Sequence, residues 1–274
     1  MSIHSSAVLA WYFSILAVIL GAVFGSFLHC MAWRIAHNEK VTKGRSHCPN
    51  CGRTLTPGEL IPVVSWLIQR GKCRGCGQKI PARYMLAELL MALLFLGCLW
   101  RFDITVVCLR NLVLLCCLFT LSVVDLDIFE IPDGLLIAAA AAWVIAAPFQ
   151  TPLWKSVVNG LVCAVILGGA PLVISLVMDK LLHKDTLGGG DIKLLAVCGL
   201  YLGAGESLCR GLVLCLFGLI LACIAGLVPS VIAKRSEHAG ESDGHFPFGP
   251  AISAAMWIML CVGQPLAEWY LGLF

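Results

Sequence analysis

Charge is scarce in this sequence. Only 13% of its 274 residues are Asp, Glu, Lys or Arg, against about 25% in an ordinary soluble domain. A surface that poor in charge would not stay dissolved, so a water-soluble globular protein is excluded and lipid becomes the expected solvent. The net charge of +3 is small, and no basic domain of the kind that grips nucleic acid is present. A glycine-rich nucleotide fingerprint is also missing. Residues 1–6 lack the basic stretch and small-residue cleavage site of a secretory signal, so the first apolar run is expected to be retained as a membrane helix.

Apolar residues are abundant instead, at 59% of the chain. A helix crossing the hydrocarbon core needs about 20 mostly apolar residues. Eight runs are candidates, at roughly 7–33, 84–100, 104–124, 134–149, 156–178, 190–204, 207–233 and 250–273. The fourth and sixth are short or interrupted. The expected fold is an all-α polytopic membrane protein with about eight transmembrane helices. It divides into a first helix (1–33), a polar module (34–83) and a membrane domain (84–274).

The basic residues orient this bundle. Cytoplasmic segments carry an excess of Lys and Arg. The 34–83 segment holds ten of them, and the loops on the same side of the bundle add Lys180, Lys184, Lys193, Lys234 and Arg235. The opposite side has Arg101, Arg110, Lys155 and Arg210, so the nineteen basic residues split fifteen to four. The expectation is a multi-pass protein of the bacterial inner membrane with the 34–83 module in the cytoplasm. The segment between Lys234 and Phe248 is rich in Gly, Ser and His and reads as a connector. Its His238 and His245 are isolated, which is weak support for a metal site.

Fifteen cysteines would suggest disulfides, but eleven lie in or at the ends of apolar runs, where cysteine behaves as a small hydrophobe. The other four form two knuckles in the polar module: Cys48-Pro-Asn-Cys51-Gly52 and Cys73-Arg-Gly-Cys76-Gly77. A C-x-x-C turn aims two sulfurs at one ion, and the following glycine lets the backbone curl towards them. Two such turns make a tetrahedral four-sulfur site, the usual arrangement for structural zinc. Metal binding would then supply folding energy to a module with few large apolar residues. A redox dithiol would present one C-x-x-C beside a βαβ pattern, and disulfides do not persist in a reducing cytoplasm.

Ionisable groups near membrane depth are costly and mark candidate sites. Asp125 ends the third apolar run, and Asp191 opens the sixth behind Gly188-Gly189-Gly190. On the topology above, both fall at the cytoplasmic boundary. Two facing carboxylates share a proton, which suits aspartic proteolysis: one takes a proton from water while the other polarises the substrate carbonyl. The glycines would let an extended substrate approach closely. Simpler roles compete. An acid at a helix N-terminus complements the macrodipole, which covers Asp133 and would also cover Asp191. Asp127 and Glu130 read as solvated loop charges. A transporter using Asp125 and Asp191 as ion or proton sites is the rival function.

Gly188-x-Gly190-Asp191 resembles the GxGD motif of membrane aspartyl proteases. The Asp125-x6-Pro132 pattern, the Gly25-Ser26-Phe27-Leu28 segment and the double cysteine knuckle resemble, in order, the motifs of type IV prepilin peptidases. After Leu28 the family commonly continues Asn-Val-Val, whereas His29, Cys30 and Met31 stand here. The resemblance implies a bifunctional enzyme. It would cleave the basic leader from prepilins or type II secretion pseudopilins, then methylate the new N-terminal amine with S-adenosylmethionine. It further implies Asp125 and Asp191 as the catalytic pair and Cys48, Cys51, Cys73 and Cys76 as metal ligands. Glu59, Gly71 and Lys72 match positions associated with the methyl donor.

Overall fold

The computed structural model describes residues 6–41, 44–150, 152–182, 187–235 and 247–273. Lys184, Asp185, His238 and His245 lie outside these residues. Among the described residues the chain forms nine α-helices: α1 (Ala7–Ala36), α2 (Val64–Ile68), α3 (Arg83–Phe102), α4 (Val106–Ile128), α5 (Asp133–Ala146), α6 (Leu153–Leu182), α7 (Gly189–Leu202), α8 (Leu208–Arg235) and α9 (Gly249–Leu271). The only extended pairing among them is two isolated bridges.

All eight apolar runs are helical, but six helices are long and apolar enough to cross a membrane: α1, α3, α4, α6, α8 and α9. The runs expected to be marginal are the two that fall short. α5 and α7 have 14 residues each, about 21 Å at 1.5 Å per residue, against a hydrocarbon core of about 30 Å. Their ends explain the lengths. α5 begins after Pro132 and runs into a 3-10 turn containing Pro148. α7 begins after Gly188 and is capped by Gly203.

The chain forms two compact units, Met1–Leu112 and Val113–Phe274. In the first, α1 packs along α3. Gly21 and Gly25, four residues apart, make this possible. A side-chain carbon at Gly21 would lie 2.6 Å from the Met91 carbonyl oxygen, and one at Gly25 would lie 2.9 Å from Cα of Glu88. Such spacing of small residues lets membrane helices approach closely without a hydrophobic driving force. Phe24 stacks on Phe95 beside the contact, with centroids 5.6 Å apart. On the other side of α1, Trp11, Tyr12, Ile15 and Ile19 face outward, which water would penalise and lipid would not.

In the second unit, α7 is the central element, packed against α5, α6, α8 and α9. Its close seat on α6 depends on Gly199, where an added carbon would meet the Cys163 carbonyl oxygen at 2.6 Å. Leu121, Leu194, Tyr201 and Ile252 are buried together in the core. The Tyr201 hydroxyl donates to the Ala139 carbonyl at 2.8 Å, so its polar end is satisfied inside an apolar core. The start of α7, which carries Asp191, is thereby held by helices on several sides.

Candidate active site

Asp125 lies in the last turn of α4 and is buried. Its Oδ2 accepts a hydrogen bond from the backbone N–H of Gly249 at 2.8 Å. Asp191 is in the first turn of α7. Its own N–H donates to the Gly188 carbonyl at 3.0 Å, closing the glycine turn. The carboxylates of Asp125 and Asp191 lie within electrostatic range of each other, with no hydrogen bond between them. Like charges in one site disfavour the simultaneous ionisation of both. Oδ1 of Asp191 is buried and has no hydrogen-bond partner among the described residues. A buried polar atom without a partner is costly, and this one is available to a water or a substrate group.

The glycines of the turn have distinct surroundings. A side-chain carbon at Gly188 would come within 3.1 Å of Oδ2 of Asp191, and one at Gly190 would lie 2.9 Å from Cβ of Ile131. Nothing crowds Gly189. Ile131 therefore links the α4–α5 connection to the start of α7. Asp133, assigned a macrodipole role from sequence, also receives two hydrogen bonds from Lys193 Nζ, at 2.8 and 2.9 Å. That pair ties α5 to α7 on the exposed side. Asp127 and Glu130 are both exposed.

The cysteine module lies in the first unit, and its two knuckles are built alike. In each, the glycine after the second cysteine donates its N–H to the first cysteine's carbonyl at 2.9 Å: Gly52 to Cys48 and Gly77 to Cys73. Both glycines are left-handed, with φ +68° and +69°, a conformation open to glycine at little cost. An antiparallel bridge flanks each turn, His47 with Thr54 and Lys72 with Lys79. The four sulfurs all lie within 4.8 Å of one another, and those of Cys48 and Cys76 are 3.9 Å apart. A tetrahedral site with metal–sulfur bonds of about 2.3 Å needs sulfur separations of about 3.8 Å, so the set fits one metal ion. Backbone N–H groups of Cys76 and Gly75 draw the Cys73 thiol down to about 6, favouring the thiolate that a metal requires.

A cavity of about 250 Å³ lies beside the knuckles in the same unit. Trp33, Trp66 and Tyr84 supply aromatic side chains, Glu59 and Glu88 carboxylates, and the metal-set residues Cys48 and Cys73 part of one wall. No single sequence pattern signals this cavity, because its lining comes from α1, the module and α3.

Of the three residues associated with a methyl donor, Glu59 lines the cavity. It accepts hydrogen bonds from Arg53 at 2.6 Å and from the Thr56 backbone and hydroxyl, each at 2.9 Å. The Arg53 guanidinium, with Thr56, holds its carboxyl down at about 2. Gly71 stands behind the wall at φ +64°, and a side-chain carbon there would lie 2.8 Å from the Trp66 ring. Lys72 is not in the lining, but its bridge partner Lys79 is.

Comparison with known proteins adds an independent line. The Bacterial Peptidase A24 N-terminal domain matches residues 19–102, and the Type IV leader peptidase family matches residues 112–231. The class these matches and the helical membrane fold define is the polytopic membrane peptidase. The chain belongs to the type IV leader peptidase family. It is 33% identical to the prepilin leader peptidase/N-methyltransferase of Bacillus subtilis (strain 168), over 92% of this chain and 96% of that protein. It is 31% identical to the prepilin leader peptidase/N-methyltransferase of Myxococcus xanthus (strain DK1622), over 93% of this chain and 74% of that protein. It is also 32% identical to the type 4 prepilin-like proteins leader peptide-processing enzyme of Escherichia coli O78:H11, over 87% and 90%. No solved structure matches the chain. The transporter alternative is not supported, since both matched regions belong to peptidases.

Proposed function

We propose that this chain cleaves the leader from type IV prepilins or pseudopilins with Asp125 and Asp191, and then methylates the new N-terminal amine. The observation that carries the proposal is that Asp125 and Asp191, the latter behind a GxGD turn, lie within electrostatic range of each other in a chain of this family. One carboxylate is ionised and the other protonated. As water attacks the scissile carbonyl carbon, the ionised group accepts its proton and the protonated group gives one to the carbonyl oxygen. Collapse of the resulting diol breaks the C–N bond, and the departing amine takes up a proton. Neither carboxylate does both jobs, so the pair acts as a unit.

The substrate fits a site at the cytoplasmic boundary of the inner membrane. A pilin-like precursor has a basic leader, which stays in the cytoplasm, and an apolar helix, which lies in lipid. Its scissile bond then falls at the membrane surface, and the basic-residue asymmetry supports assigning both aspartates to that side.

For methyl transfer we assign the cavity beside the knuckles as the methyl-donor site. S-adenosylmethionine would supply an electrophilic methyl group on a sulfonium cation. Trp33, Trp66 and Tyr84 in the lining are the aromatic residue types that suit a cation. Glu59 acts through the wall it builds with Arg53 and Thr56, and Gly71 leaves space for the Trp66 ring. Lys72 acts through its pairing with Lys79. The four cysteines would hold one structural zinc ion, which keeps the Cys48 and Cys73 side of the cavity in shape. The test is to incubate the purified full-length protein with a prepilin and isotopically labelled S-adenosylmethionine. Mass spectrometry should find a shortened pilin whose new N-terminal residue carries the label. An unprocessed substrate would refute the proposal.

A further inference from the structure

We infer that Gly249, at the first turn of α9, is a positioning residue of the two-aspartate site, so that the C-terminal helix completes that site. The inference rests on the reading of Asp125 and Asp191 as the working pair. It concerns a helix outside both matched regions, which span residues 19–102 and 112–231.

Three observations converge. The Gly249 N–H donates to Oδ2 of Asp125 at 2.8 Å in a buried setting. Pro250 follows and has no N–H, so Gly249 is the donor that the first two positions of α9 can offer. A side-chain carbon at Gly249 would lie 2.7 Å from that same Oδ2, so any other residue displaces the carboxylate. The donor is itself well fixed: α9 packs against α7 and α8, and Phe248 packs against the core.

The physical consequence is a division of labour. A hydrogen bond at the positive end of a helix holds the Asp125 carboxylate in one orientation. Oδ1 of Asp191, buried and without a hydrogen-bond partner among the described residues, is left to engage the substrate carbonyl or the attacking water. Asp125 is the anchored member of the pair and Asp191 the receiving one. A backbone donor serves better than a side chain here, because it cannot rotate away when the substrate enters.

The test compares full-length G249A and D125N with the unmodified protein, using prepilin cleavage and methylation of a pre-cleaved pilin as separate readouts. In G249A the carboxylate shifts by several tenths of an ångström. The expected result is a fall in kcat of about ten- to a hundredfold, with KM within about twofold and methylation unchanged. G249A cleaving at the normal rate while D125N is inactive would overturn this inference alone. D125N cleaving normally would overturn the two-aspartate reading with it. Parallel loss of methylation in G249A would mean a general folding role, and would also count against positioning. A second measurement does not depend on that variant: amide hydrogen exchange at Gly249 should be at least about tenfold faster in D125A, by loss of the acceptor. Unchanged exchange would overturn the inference.

Discussion

Cβ of Ile131 lies 2.9 Å from where a side-chain carbon on Gly190 would stand, closer than such carbons normally approach. One apolar contact thus sets how closely the α4–α5 connection approaches the turn carrying Asp191. A spacing argument finds Gly190 through its motif, but the steric reason for a glycine there comes from Ile131.

The first prediction follows from that contact. G190A should lower prepilin cleavage by about tenfold or more through displacement of Asp191, since small misplacements of reacting groups are expensive. I131G in the same chain should restore part of the activity, because removing Cβ vacates the space the new methyl group needs. G189A should be mild, as nothing crowds that position. Cleavage kinetics of the three variants decide the matter; equal losses in G189A and G190A would rule out the steric account.

The second concerns the knuckles. The purified protein should hold about one zinc ion per chain, measured by elemental analysis, and C48S or C76S should lower that content. Because Cys48 and Cys73 also line the cavity, loss of metal should impair methylation more than cleavage. A variant with all four cysteines changed to serine that retained normal zinc would remove the metal assignment.

The third is a pH dependence in the same module. Glu59 is held at about 2 in the folded protein, below its ordinary value of 4.5, by Arg53 and Thr56. A carboxylate with a depressed folded value stabilises above its unfolded value, and that contribution fades as pH falls from about 4.5 towards 2. E59Q should therefore be less resistant to limited proteolysis in the 34–83 module than the unmodified protein at neutral pH. The difference should narrow as the medium is acidified through that window. A gap that stayed constant or widened on acidification would contradict the ion pair as its source.

The fourth concerns topology. A reporter fused after Arg45 should read cytoplasmic, and one fused at Gln150 should read periplasmic, on the fifteen-to-four division of basic residues, which requires α5 and its 3-10 turn (Asp133–Phe149) to cross despite their shortness. The reverse pattern would move both aspartates to the other face.

Helix positions were legible in the sequence because the apolar runs are long and charge interrupts them sharply. Even the weakness of α5 and α7 showed, in their length and their bounding Pro and Gly residues. The cysteine set and both aspartates could be singled out in the sequence because thiol and carboxylate side chains are the groups to which the proposed chemistry is assigned. What was hidden depends on partners distant in sequence. Gly25 looked like part of a family motif, yet its place against Glu88 in the α1–α3 contact appears only when the helices are packed. Glu59 was marked only by its resemblance to a position in the family's cytoplasmic loop, while its capping of Thr56 and pairing with Arg53 are matters of conformation. The donor from Gly249 to Asp125 left no sequence signal, because a backbone N–H is common to nearly every residue.

The central claim is that Asp125 and Asp191 act as one catalytic unit, and the most direct measurement is the prepilin cleavage rate of D125N and D191N. Each should abolish leader removal while the protein still inserts in the membrane and still methylates a pre-cleaved pilin. The double variant should be scarcely worse than either single one, since an amide can neither accept water's proton nor share one with its partner. D127N and E130Q, at exposed positions, should remain close to normal. A helix-capping role for Asp191 would predict that D191N retains most activity, because Asn caps as well as Asp. Near-normal cleavage by either single Asp→Asn variant, confirmed intact and inserted, would contradict the two-aspartate mechanism.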